Sequence, residues 1–249
     1  MKTIEVLNTP AEFARLHGRD LSRTICVVFD VLRATSTMVT ALANGAAGIV
    51  PMVEIDEALA WRAKSPEVLL AGERDGVRIR AAQTGSVDFD LGNSPREFTR
   101  AIVAGKIIVT TTTNGTRALR ACVGAQEILA GSFLNLSATL TRVRELDAEN
   151  ILLVVSGTGE MEALEDTLAV GASVAQLATQ PATLSAAAVR ARGIFLKHEQ
   201  DLFGAMKLAA NGERLLANAA LQDDVAFCLQ RDGFALVARL EGDGVVRRF

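Results

Sequence analysis

Two histidines and three cysteines in 249 residues remove several kinds of chemistry at once. His17 and His198 both lie in helix-like surroundings, so neither a histidine-centred triad nor a zinc site is expected. Cys26, Cys122 and Cys228 form no CxxC pair and read as buried thiols in a reducing compartment. No stretch reaches the roughly twenty uninterrupted apolar residues of a membrane span. The net charge is only −3 and 49% of the residues are apolar. That balance argues against an electrostatic grip on nucleic acid and against disorder. The first residues, Met1 to Glu5, lack the apolar core of a signal peptide, so a cytoplasmic enzyme or binding protein is expected. Chemistry must come from carboxylates, hydroxyls and arginines, with a hard metal ion as their natural companion.

What is present is a regular alternation. Strands are expected at residues 3–7, 24–29, 48–53, 68–71, 106–111, 127–130 and 151–155. Helices are expected after Thr9-Pro10 and at 35–44, 56–64, 95–104, 116–122, 136–146 and 163–178. Between 72 and 93 runs a long irregular stretch, of a length that is more often functional than not. Beyond Pro181 four helical segments follow (186–192, 195–209, 213–218, 223–230), with 234–240 as an edge strand. The pattern predicts one domain over residues 1–249, a three-layer α/β/α fold with a mostly parallel mixed sheet and a helical C-terminal portion.

Three stretches carry candidate chemistry. In Phe29-Asp30-Val31-Leu32-Arg33-Ala34-Thr35-Ser36-Thr37 an apolar strand ends on a carboxylate just before a helix, where α/β proteins place their sites. Asp30 can ligate a cation or act as nucleophile, and Arg33 can fork onto an anionic oxygen. The plainer alternative is an aspartate that caps the next helix. In Thr110 to Arg117 four threonines run off a strand into Asn114-Gly115, a turn suited to cradling an anion. An ordinary Asn-Gly turn is the alternative there. The third stretch, Gly157-Thr158-Gly159-Glu160-Met161-Glu162, fails as a dinucleotide fingerprint, because its third glycine position is Glu162, and no P-loop lysine follows. Its acidic start suits the helix dipole, whereas Glu165-Asp166, flanked by Leu164 and Leu168, can reach a metal. With Asp30 and Glu73 they make an oxygen-only set, which suits Mg²⁺ beside a phosphate. A haloacid-dehalogenase arrangement is disfavoured, since its second aspartate would fall at Leu32.

Read together, FDVLRATST (29–37), AGER (71–74), DLGNSP (90–95), TTTNGTRAL (111–119), GSFLN (131–135), LEDTLAVG (164–171) and NGERLLAN…DDVAFC (211–228) resemble the 2-phosphosulfolactate phosphatases over nearly the whole chain. The resemblance implies a Mg²⁺-dependent phosphatase that converts (R)-2-phospho-3-sulfolactate to 3-sulfolactate, a step of coenzyme M biosynthesis in archaea. Among the matching positions, side-chain chemistry makes Asp30, Arg33 and Arg117 the expected catalytic groups. Thr35, Asn93, Thr112, Thr113, Asn114, Gly115, Thr116, Ser132 and Asn135 are expected to bind the phosphorylated substrate. Arg74, Arg78 or Arg80 would meet its sulfonate or carboxylate. Asp30, Glu73, Glu165 and Asp166 are expected around Mg²⁺. Ser156 and Asp88 depart from the family pattern, and the Ala- and Arg-rich composition looks bacterial, which leaves room for another small phosphorylated acid as substrate. The expected partner is that small anion, with no nucleic acid, no membrane, and a homodimer through the Ala-rich helices. A non-catalytic sensor of a phosphorylated anion is the second expectation.

Overall fold

The parallel strands are apolar along their whole length because helices cover both of their faces. The computed structural model describes residues 2–179 and 181–249. Its strands are β1 (Lys2–Leu7), β2 (Thr24–Phe29), β3 (Gly48–Met52), β4 (Leu69–Arg74), β5 (Val77–Arg78), β6 (Ile107–Thr111), β7 (Glu127–Gly131), β8 (Asn150–Val155), β9 (Ala182–Leu184), β10 (Ala238–Leu240) and β11 (Val246–Arg248). The α-helices are α1 (Pro10–Phe13), α2 (Ala34–Ala43), α3 (Ile55–Lys64), α4 (Ala81–Thr84), α5 (Arg100–Val103), α6 (Gly115–Ala121), α7 (Leu136–Glu145), α8 (Leu164–Leu177), α9 (Ala186–His198), α10 (Leu202–Met206), α11 (Ala210–Leu216) and α12 (Gln222–Cys228).

Among the described residues the strands form one sheet in the order β5-β4-β6-β3-β11-β10-β7-β2-β8-β1-β9. Strand pairing is parallel from β7 through β9 and from β3 through β4. It is antiparallel around β10 and β11 and at the β4–β5 hairpin. Alternation along β2 divides the core. Ile25, Val27 and Phe29 face the layer of α7, α8 and α9, whereas Cys26 and Val28 face that of α2 and α6. A smaller core under α3 joins Val50, Leu70 and Val109. The fold is three-layer α/β/α. Among the described residues no helix is long and apolar enough to cross a membrane.

Several elements differ from expectation. The segment 234–240, expected at an edge, supplies β10 in the middle of the sheet, paired with β7 and β11. The edges are β5 and β9, strands of two and three residues that periodicity does not announce. The helix expected over 95–104 is a 3₁₀ turn, Pro95–Glu97, followed by α5, because Phe98 between them turns inward into the core. The helix expected over 195–209 breaks at Asp201, whose side chain accepts from the Gly204 N–H and starts α10 afresh. Within 72–93 lies the β4–β5 hairpin, turned by Asp75 and Gly76, both at positive φ.

Candidate active site

The site grows from the carboxyl ends of β2, β4 and β6, the position that parallel topology makes available to a ligand. At the end of β2, Thr35 ties the Asp30 turn: the Asp30 N–H donates to Thr35 Oγ1 (3.0 Å), which donates in turn to the Asp30 carbonyl (2.9 Å). Asp30 Oδ1 accepts from the Ala34 N–H (2.9 Å). Its Oδ2 lies against Gly115, where a Cβ would stand 2.6 Å from that oxygen and 2.7 Å from Ala34 Cβ. Glycine at 115 is therefore a condition for α6 to approach the carboxylate.

At the end of β4, Glu73 holds two loops together. Its Oε2 accepts from the Gly76 N–H (2.7 Å), and its Oε1 accepts from both the N–H and the hydroxyl of Thr113 (3.0 Å each). The Leu32–Arg33 peptide is cis, and the Arg33 guanidinium donates to Asp224 Oδ2 (2.7 Å) and to the Gly76 carbonyl (2.9 Å). Asp224, wholly buried on α12, also accepts from Ser94 Oγ and Arg96 Nε (2.7 Å each). Around these groups opens a cavity of about 320 Å³, lined among others by Asp30, Arg33, Glu73, Asn93, Asn114 and Arg214.

Glu165 and Asp166 stand behind that wall in the first turn of α8. Asp166 accepts from the Val31 N–H (2.7 Å) and the Gly157 N–H (3.1 Å), bracing the loops after β2 and β8. Glu165 accepts from Asn211 Nδ2 (3.1 Å). Burial pushes the Asp30 carboxyl up to about 7, with Glu73 and Glu165 adding repulsion and the Ala34 N–H and Arg33 opposing it. Burial also raises Glu165, against the pull of Asn211 and Arg214. It lifts Asp166 well above the usual carboxylate range, helped by Asp30 and Glu165. Burial is the main cause for all three, and repulsion between the acids adds to it at Asp30 and Asp166.

Other expected residues lie off the cavity or have their polar atoms engaged. Thr112 Oγ1 accepts from the Thr116 N–H (3.3 Å), and the Thr116 hydroxyl donates back to the Thr112 carbonyl (3.2 Å), closing the turn on itself. Ser132 and Asn135 are wholly buried; the Ser132 N–H donates to Asn135 Oδ1 (3.0 Å), and the Asn135 amide donates to the carbonyls of Ala130 and Leu236. Arg117 reaches outward to Glu160 (3.5 Å). Arg74 donates to Thr111 Oγ1 (3.0 Å) and to backbone carbonyls, while Arg78 pairs with Glu97 and Arg80 with Asp88. Asn211, Arg214 and Asp224 went unassigned in the sequence reading. They sit in the NGERLL and DDVAFC segments, where helical polar residues look like a solvated face until α11 and α12 fold back over the ends of β2 and β4.

One atom of the site is suited to a hard cation such as Mg²⁺. Asn114 gives both amide hydrogens to carbonyls, of Ser156 (3.1 Å) and Gly159 (2.9 Å), which fixes its orientation and leaves its buried Oδ1 without a partner. That atom can only accept, so it suits a cation or a water better than a phosphate oxygen. Its neighbours Thr113 and Gly115 touch Glu73 and Asp30. Among the described residues no three His, Cys, Asp or Glu side chains are grouped to hold an ion. Mg²⁺ needs fewer, because it keeps waters and shares ligands with its substrate.

A family model described as 2-phosphosulpholactate phosphatase matches residues 12–243. The chain is 41% identical over 214 residues to a probable 2-phosphosulfolactate phosphatase of Thermotoga petrophila, covering 86% of this chain and 88% of that one. To a protein of the same description from Thermotoga maritima it is 39% identical over 224 residues, covering 90% and 92%. To another from Caldanaerobacter subterraneus it is 35% identical over 244 residues, covering 97% of each.

Proposed function

The chain belongs to the 2-phosphosulpholactate phosphatase family, and from that premise we propose that it hydrolyses (R)-2-phospho-3-sulfolactate to 3-sulfolactate and phosphate with the help of Mg²⁺. The observation that carries the reading is the cavity wall, where Asp30, titrating near 7, stands beside Arg33. A carboxylate in that range is matched to proton transfer at neutral pH.

In the proposed reaction, water attacks the phosphorus and gives its proton to Asp30, which returns it to the departing alkoxide oxygen. Proton and charge balance over the cycle. The Ala34 N–H orients the carboxylate, and Asp166 holds the loops on either side of it. Arg33 keeps its remaining N–H groups for the phosphoryl oxygens, while Asp224 and the Gly76 carbonyl fix its plane. Glu73 and Asn114 Oδ1 are the groups that would hold Mg²⁺ beside Asp30, and when bound it would supply charge neutralisation at the phosphoryl group. Glu165 and Asp166 stand behind them, where Asp166 braces the loops after β2 and β8. A homodimer stays part of the proposal, to be read from molar mass by light scattering.

The test is phosphate release from 2-phospho-3-sulfolactate, phospholactate and phosphoglycolate, with Mg²⁺ and with EDTA, alongside calorimetric titration of Mg²⁺. The expected result is Mg²⁺-dependent release with the sulfonate preferred, and Mg²⁺ binding that weakens in Glu73→Gln. Release from carboxylate analogues alone would reject the sulfolactate. Folded protein that acts on none of them would reject the whole reading.

A further inference from the structure

The cavity wall is acidic, with Asp30, Glu73 and Asp75 lining it, yet the ligand proposed for it is an anion. Two guanidinium groups line it as well, and their charges differ in availability. Arg33 is buried and bound to the buried Asp224 at 2.7 Å, so its charge is largely cancelled. Among the described residues Arg214 has no carboxylate within ion-pair distance; it donates only to the neutral side-chain oxygen of Asn211. It is exposed at the cavity mouth, on α11.

A second observation locates it. Gly76 sits at φ +77°, and a Cβ there would lie 3.6 Å from the Arg214 guanidinium. The carbonyl of the same glycine accepts from Arg33 (2.9 Å). The two cations therefore flank one residue and line the same cavity. Two cations on the wall of one small cavity suit two acid groups carried on one short molecule. The arginines expected from the sequence to meet the second acid are engaged elsewhere: Arg78 with Glu97, Arg80 with Asp88, and Arg74 with Thr111 and backbone carbonyls.

We propose that Arg214 is the specificity-determining residue for the second anion, selecting phosphomonoesters of small hydroxy acids that bear a sulfonate or carboxylate. The inference rests on the phosphatase reading of the same cavity. Arg214 grips that acid while the phosphoryl group lies toward Asp30 and Arg33. A charge-assisted, two-pronged contact of this kind carries selectivity that an uncharged amide cannot replace.

The experiment compares kcat/KM for 2-phospho-3-sulfolactate with that for p-nitrophenyl phosphate, which has no second acid, in wild type, Arg214→Gln and Arg214→Lys. Arg214→Gln is expected to lower the preference for the diacid about 10- to 100-fold, chiefly through KM, with Arg214→Lys retaining part of it. Equal losses on both substrates, or an unchanged preference, would overturn the assignment. Calorimetric binding of 3-sulfolactate, which needs no turnover, separates this inference from the reading beneath it. If wild type binds sulfolactate and Arg214→Gln does not, the subsite stands even if no ester is hydrolysed. Equal binding by both, or none by wild type, overturns it.

Discussion

Asp30 is held in a place that disfavours its own charge. The unfolded carboxyl titrates near 3.8 and the folded one at about 7, so the folded protein keeps a proton that the unfolded chain has released. The stability this adds is fully present below about 4 and is lost as pH rises through about 7. Asp30→Asn never carries the charge. The variant should lose about 10²- to 10⁴-fold in turnover if Asp30 handles the proton. Its melting temperature in metal-free buffer should match or exceed that of wild type above pH 7, since up to about 4 kcal/mol of ionisation cost disappears. Scanning calorimetry between pH 4 and pH 8, paired with a phosphate-release assay, checks both. Near-normal turnover would remove Asp30 from the chemistry. At this scale the sequence was informative: a carboxylate ending an all-apolar strand, Ile25 to Phe29, sits where a parallel sheet opens. Asn114 was legible only as a polar turn residue. Which of its two ends is free depends on the Ser156 and Gly159 carbonyls, forty residues and more away in the chain.

Elements join at the site through charge as well as through apolar packing. Helix α12 reaches the loop after β2 by the Arg33–Asp224 pair, closed to solvent on both sides, and the same carboxylate ties down Ser94 and Arg96 beside the 3₁₀ turn Pro95–Glu97. Breaking a buried pair by removing one partner leaves the other charge stranded. Asp224→Ala should therefore cost about 3–5 kcal/mol in denaturant unfolding and should lower activity as well, because Arg33 loses its anchor. A change under about 1 kcal/mol would mean that the pair contributes little. Nothing in Gln222-Asp223-Asp224 distinguishes the buried Asp224 from the exposed Asp223, since both fall in the first turn of a helix where acids are favoured anyway. Only the packing of α12 against the turn separates them.

For the molecule as a whole, the centre of the sheet is filled by the end of the chain. β10 and β11 pair with each other and separate β7 from β3, so they join a five-stranded parallel block to the strands that carry Glu73 and Thr113. Deleting residues 234–249 would expose the edges of both blocks and uncover Ala130, Ile128 and Ile49. The expected outcome is loss of the cooperative thermal transition, followed by circular dichroism, and material in the void volume on gel filtration. A truncated protein that melts cooperatively near the wild-type temperature would show that the two blocks hold together without the hairpin.

Local chemistry by itself determined the layers and one edge of the site. Continuous apolar runs specified buried parallel strands, the glycine and proline punctuation separated them from helices, and strand ends marked where Asp30, Glu73 and the threonines gather. Tertiary structure decided what those residues do. It turned the Thr112 and Thr116 hydroxyls back on their own turn, sent Ser132 and Asn135 into the interior, carried Arg214 and Asp224 in from the C-terminal helices, and placed β10 at the centre. The reason is physical. Burial and backbone pattern are written in neighbours along the chain, whereas the partner that cancels a charge or leaves it free is chosen by contacts between residues far apart in sequence. Arg33 and Arg214 are the same residue type, and only their surroundings make one a buried anchor and the other an available cation.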